Sequence, residues 1–155
     1  MKKFVLISLF CICSVFAVRG LAAEASPDEV SAVLLKEWVS EKYGCKIDKD
    51  GDLIINGRNG KIVVAVIPKV KLIRIYSSFS RYDKRSVTEM KALTNKFNDD
   101  KRLMRVYVRP DGGTVCDYYL VYDGGLNSKN FLELLSWFDS LKKDWINYAI
   151  HGGDK

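Results

Sequence analysis

One histidine, His151, serves the whole of this 155-residue chain, and it stands just before a terminal Gly152-Gly153-Asp154-Lys155. A zinc site built on imidazole therefore has no ligand set, and no hydroxyl or thiol nucleophile has an imidazole base within the body of the chain. Cysteine is nearly as scarce. Of four residues, Cys11 and Cys13 lie near the start, and Cys45 and Cys116 follow without any C-x-x-C spacing of a redox pair. Internal repeats and low-complexity linkers are missing too. No cofactor or metal is called for, and no enzyme activity is expected.

Two acidic patterns invite chemistry and fall short of it. Asp48-Lys49-Asp50-Gly51-Asp52 resembles the start of a calcium loop, but Leu53 and Asn59 stand where such a loop needs glycine and glutamate. Asp50-Gly51 reads instead as a hairpin turn. Asp117 and Asp123 could pair as catalytic carboxylates, yet they alternate onto one strand face and read as outward solubility residues.

The beginning of the chain has a different pattern from the rest. Lys2 and Lys3 precede an apolar run from Phe4 to Val18, and small residues follow up to Ala23-Glu24-Ala25. That combination marks residues 1–25 as a cleaved signal peptide, because a membrane-spanning helix needs about 20 apolar residues. The mature protein is expected to be periplasmic or secreted, with no membrane association after cleavage. Mature chain should start at Ser26, or two or three residues earlier if the cut comes after Ala22 or Ala23. In an oxidising compartment Cys45 and Cys116 are expected to form a disulfide, with two separate buried thiols as the alternative.

Removal of Lys2, Lys3, Arg19 and Glu24 leaves 22 basic and 18 acidic residues. Residues 58–109 carry a net +10, while 26–57 and 110–155 each carry −3. A basic centre attracts an acidic partner, a lipid headgroup or a polyanion. The plainer alternative is a solvated sheet face balanced by its helices. Export argues against nucleic acid as the partner.

The pattern of elements is organised around residues 86–123. Ser86 and Glu89 have capping-box spacing, and Val87, Met90, Leu93, Thr94 and Phe97 recur on one helical face. Met104, Val106 and Val108 then alternate with Arg105, Tyr107 and Arg109, and Asp111-Gly112-Gly113 turns the chain into a return strand from Thr114. Upstream, Ser26-Pro27-Asp28-Glu29 is expected to open a first helix lined by Val30, Val33, Leu34 and Trp38. Strands are expected at Leu53–Asn56, Lys61–Ile67 and Val70–Phe79. The Ile62–Ile67 run is apolar on both faces, which suits a central strand or a subunit interface. A last helix carries Phe131, Leu134, Leu135, Phe138, Leu141 and Trp145, with Trp137 and Tyr148 beside them. At that spacing they are core, or else the lining of a ligand groove.

The order α-β-β-β-α-β-β-α, the Asp50-Gly51-Asp52 turn and the helix end Leu93-Thr94-Asn95-Lys96-Phe97-Asn98 resemble the YbjN-domain family, described as bacterial sensory transduction regulators. The Asp-Gly hairpin and the final Phe/Leu/Trp helix match as well, so the likeness spans residues 27–148. It implies an α+β fold of two layers, with about five antiparallel strands and three helices, similar to type III secretion chaperones. It also implies a domain (residues 26–150, with 151–155 a disordered tail) that can form a homodimer and grip an extended protein partner. No catalytic residues come with the resemblance, and the leader departs from its cytoplasmic members. The expected function is a chaperone-like or regulatory binding module. A periplasmic inhibitor or ligand-binding protein is the alternative. Either would use a basic strand face made of Lys71, Arg74, Arg105, Tyr107 and Arg109, whose guanidinium groups can hold carboxylates bidentately.

Overall fold

A computed structural model describes residues 22–101 and 103–153. A six-stranded antiparallel sheet runs β2 (Cys45–Ile47), β3 (Leu53–Gly57), β4 (Gly60–Ile67), β5 (Leu72–Phe79), β7 (Thr114–Val121) and β6 (Arg105–Val108), in that spatial order. A separate two-stranded ribbon joins β1 (Glu24–Ala25) to β8 (Leu126–Asn127). Helices α1 (Ala32–Ser40), α2 (Val87–Asp100) and α3 (Ser128–His151) complete the fold. The architecture is the expected α+β, with one strand more in the main sheet because Cys45–Ile47 pairs with Leu53–Ile55 across the Asp48–Asp52 turn.

One core joins all three helices to one face of the sheet. Ile55, Ile62, Val64, Ile73, Ile75, Val106 and Cys116 meet Leu35 and Val39 of α1, Met90 and Phe97 of α2, and Phe131, Leu135, Phe138 and Trp145 of α3. Each such side chain, fully buried, contributes roughly 1.5–3 kcal/mol. Phe97 meets Trp145 and Tyr148 edge-on at ring-centroid distances of 5.3 and 5.4 Å, so this aromatic group is core rather than a groove. Trp137 points away and is exposed. The apolar β4 is central, with β3 on one side and β5 on the other. Ile62 and Val64 are buried, while Val63 and Ala65 are half-buried on the opposite face. No helix among the described residues is long and apolar enough to cross a membrane.

The helix–hairpin unit forms as its sequence dictates. Ser86 Oγ accepts from Glu89 N at 3.2 Å and Glu89 Oε2 accepts from Ser86 N at 2.7 Å, the reciprocal pair that starts α2. Arg109 N donates to Gly113 O at 2.7 Å, and the Asp111 carboxylate accepts from Gly113 N at 2.9 Å, which closes the hairpin.

Three expectations need correction. Ser26–Glu29 does not open α1; it closes a separate turn, in which Glu29 accepts from both the amide and the hydroxyl of Ser26. The helix starts five residues later at Ser31, whose hydroxyl accepts from Leu34 N. Val30 is buried between these two competing caps, and Val33 ends up exposed. Cys45 and Cys116 are both free thiols rather than a disulfide. They sit on β2 and β7, which the sheet order separates by three intervening strands. Four strand spacings amount to about 19 Å, against a limit of about 7 Å between bonded cysteine Cα atoms. Finally, His151 belongs to α3, and Gly152 caps it in the left-handed conformation. The amides of Gly152 and Gly153 donate to the Tyr148 carbonyl, so residues 151–153 of the expected tail close the helix as part of the fold. Residues 1–21 of the expected leader, with 154 and 155, lie outside the described residues.

Candidate functional site: an arginine–tyrosine cluster on the open sheet face

Strand alternation puts every second residue of the sheet on the side away from the helices. Register aligns Ile54, Val63, Tyr76, Asp117 and Arg105 in one row across β3, β4, β5, β7 and β6. Ala65, Arg74 and Tyr119 form the next row, and Ile67, Leu72 and Val121 the one after it. No residue of these rows belongs to the core, and Tyr119 and Val121 are 44% and 66% exposed. This is an open, partly apolar face with a charged centre.

Asp117 is that centre. Its side chain is fully buried, contrary to the sequence reading of an outward solubility residue. Burial of a carboxylate requires partners, and two arginines supply them. Arg105 donates from Nε and Nη2 to the two carboxylate oxygens at 3.0 and 2.9 Å, a bidentate fork. Arg74 adds Nη2 at 3.2 Å to Oδ2 and donates to the Tyr107 hydroxyl at 3.0 Å. The Arg74 guanidinium lies 4.4 Å from the Tyr76 ring centroid and 5.8 Å from that of Tyr119. Arg105 sits 5.2 Å from the Tyr107 ring and 6.0 Å from Tyr119. Three tyrosine rings therefore wall two cations that share one anion.

This packing sets the electrostatics. The hydrogen bond to Asp117 leads in holding Arg105 above its ordinary range, against the opposing pull of burial. Burial pulls Arg74 down, but Tyr119, Tyr107 and Asp117 together outweigh it and hold it up. Burial raises the Tyr76 phenol, and the nearby Asp52 carboxylate raises it further. The two arginines exceed Asp117 by one positive charge, which Asp52 beside Tyr76 and Arg74 offsets from the β3 side, while Arg105, with a side chain 61% exposed, presents its charge outward. Nε of Arg74 is buried without a partner.

Of the five residues expected on the basic face, Arg74, Arg105 and Tyr107 come together and two do not. Lys71 precedes β5 in a left-handed conformation, and its ammonium pairs with Asp28 at 2.6 Å. Its place in the turn takes it off the strand. Arg109 lies beyond β6 and pairs with Asp111 at 3.0 Å in the hairpin turn. Sequence reasoning missed Tyr76, Tyr119 and Asp117 as members. Register alone brings them in, since Tyr76 lies opposite Asp117 and Arg74 opposite Tyr119. Among the described residues no group of three or more His, Cys, Asp or Glu side chains is placed to hold a metal ion.

A family model named YbjN, "putative bacterial sensory transduction regulator", matches residues 26–150. The chain belongs to the YbjN family. Its fold is similar to the crystal structure of YbjN from E. coli, described as a putative transcription regulator, with a TM-score of 0.65 at 13% identity. That match covers 79% of this chain and 93% of the other. An uncharacterised protein from Methanothermobacter thermautotrophicus is similar with a TM-score of 0.57 at 12% identity, over 76% of this chain and 94% of that one. No curated protein matches the chain. At these identities the solved structures speak for the YbjN fold alone. In this YbjN domain the arginine–tyrosine cluster lies on the sheet face that the helices leave open.

Proposed function

We propose that this YbjN domain is an exported, non-enzymatic binding module, chaperone-like or regulatory, that grips a protein partner on its open sheet face. The observation that carries the reading is the buried Asp117 shared by Arg74 and Arg105. A single carboxylate preorganises two guanidinium groups and leaves their pair one positive charge in excess. Tyrosine rings around them offer apolar contact with a polar tip, a composition common at protein interfaces. The fitting occupant is an extended segment with a carboxylate to meet Arg105 and apolar side chains to cover Tyr119 and Val121. No acid–base chemistry is assigned to Asp117, because its oxygens are committed to arginine. His151 is an exposed residue at the end of α3.

A photoreactive phenylalanine analogue at Tyr119 tests this against the same analogue at Trp137, an exposed position on the outer side of α3. Crosslinks to another protein are expected at Tyr119, suppressed by an added acidic peptide and not by a lysine-rich one. Equal crosslinking at both positions would remove the open face as the partner surface. Adducts of twice the chain mass would show that the occupant is a second copy, the homodimer expected from sequence.

A further inference from the structure

Past the apolar run that ends at Val18, three cuts would follow an alanine: after Ala22, after Ala23 and after Ala25. Signal cleavage prefers small side chains at the last position before the cut and two positions earlier. The site after Ala25 satisfies this with Ala23, and the site after Ala22 satisfies it with Gly20. A cut after Ala23 would place Leu21 at the earlier position, which is too large. From sequence alone Ala23-Glu24-Ala25 is the more obvious site.

The fold favours the other one. Glu24 and Ala25 form β1, paired with Asn127 and Leu126 of β8. Ala25 is 7% exposed and belongs to the core, and Leu126 beside it is 9% exposed. The carbonyl of Ala23 accepts a 2.8 Å hydrogen bond from Ser128 N, the first residue of α3. That amide is one of the donors a helix start leaves without an internal partner. Gly125 is fitted to this strand as well. A Cβ there would meet the Ala25 carbonyl oxygen at 2.7 Å, and its φ of +95° suits glycine. A cut after Ala25 would remove a core residue, a strand and the partner of the α3 amide together.

Resting on the proposal of export, we infer that the leader is removed after Ala22, so that Ala23, Glu24 and Ala25 remain as the first strand of the mature domain. The reaction is hydrolysis by a membrane-bound endopeptidase of the export pathway. Water adds across the Ala22–Ala23 peptide bond, leaving a carboxylate on Ala22 and an amine on Ala23. Cleavage acts on extended chain before folding, so Gly20-Leu21-Ala22 directs the cut and the fold retains Ala23 and the residues after it.

N-terminal sequencing and intact mass of protein exported from the full chain in a bacterial host decide the matter. A first residue of Ala23 is expected. A start at Glu24 or Ser26 would overturn the inference and leave export standing, whereas a start at Met1 would overturn the export reading itself. Ala22→Phe supplies a second arm, because it blocks the proposed site and leaves the folded domain untouched. The Ala23 terminus should be lost, with processing moved to Ser26 or halted, and a persistent Ala23 terminus would count against Gly20-Leu21-Ala22 as the directing sequence. As a third measurement, protein beginning at Ala23 should melt several degrees above protein beginning at Ser26. Equal melting would show that β1 is dispensable.

Discussion

Asp139 and Lys142, one turn apart on α3, form a buried ion pair at 2.9 Å that holds the tip of the β3–β4 hairpin. The Asp139 carboxylate accepts from Arg58 N at 2.9 Å and from Asn59 N at 3.3 Å. The ammonium of Lys142, whose side chain has no exposed surface, donates to the Gly60 carbonyl at 2.9 Å. Both charges are thus satisfied by each other and by backbone. Removing one partner of a buried pair leaves the other uncompensated and costs about 3–5 kcal/mol. Lys142→Met should lower the free energy of unfolding in urea by that amount. A loss below about 1 kcal/mol would mean that solvent reaches the pair.

The same tip makes Gly57 intolerant of a side chain. A Cβ there would lie 2.8 Å from the Asp139 carboxylate and 2.9 Å from the Gly60 carbonyl oxygen. Backbone cannot retreat as a flexible side chain would. Gly57→Ala is expected to cost about 1–3 kcal/mol, in the range of overpacked sites, and Asp139→Asn should not rescue it. Gly51→Ala, at the β2–β3 turn where nothing lies within 4 Å of the added carbon, is a control for backbone strain alone.

A pH-dependent prediction comes from the α2 cap. Hydrogen bonds from the Ser86 amide and hydroxyl hold the Glu89 carboxyl below its ordinary value of 4.5. A depressed carboxyl stabilises the fold above its unfolded value, and the contribution is lost as pH falls through the folded one. Ser86→Ala should therefore reduce stability at pH 7, and the gap from the parent should narrow steadily below about pH 4.5. A gap independent of pH would assign the cap's effect to the serine hydroxyl alone.

Thiol chemistry separates the two cysteines. Burial pushes the Cys116 thiol well above its ordinary range, whereas Cys45 is only half-buried. Alkylation of the native, unreduced protein should modify Cys45 first and Cys116 only after unfolding, since the thiolate is the reactive form. A mass short by two hydrogens, with neither site modified even after unfolding, would show a bond that the strand order forbids.

Legibility from sequence divided along physical lines. The capping box at Ser86, the Asp111-Gly112-Gly113 turn and the stripes of α2 and α3 are local, and their causes lie within a turn or two of chain. Asp139 and Lys142 were not foreseen inside the α3 stripe, because their partners at Arg58, Asn59 and Gly60 are about eighty residues away. The disulfide expectation failed for the same reason. Compartment and cysteine count say nothing about strand order, and strand order sets the distance. Asp117 looked like a solvent residue because alternation marks a face without saying what else is on it. Only the pairing of β5, β7 and β6 supplies its arginines.

The Asp117 cluster changes what a charge reversal should do. Read as a free basic face, Arg105→Glu would weaken partner capture and leave stability alone. With Arg105 forked onto a buried carboxylate, the substitution sets two acids side by side and removes two charge-assisted hydrogen bonds. Hydrogen bonds to charged groups contribute about 1.5–3 kcal/mol, and the exposure of Arg105 places the loss near the lower end, about 2 kcal/mol in urea unfolding. Arg105→Lys keeps the charge but not the fork, and should fall between. Tyr119→Ser leaves the Asp117 hydrogen bonds in place and removes ring contacts to Arg74 and Arg105, a loss of about 0.5–1 kcal/mol at an exposed site. Partner capture should therefore fall in both Arg105→Glu and Tyr119→Ser, while stability falls further in the first. If Tyr119→Ser leaves capture intact, the tyrosine wall is packing for Arg74 and Arg105 and does not belong to the binding surface.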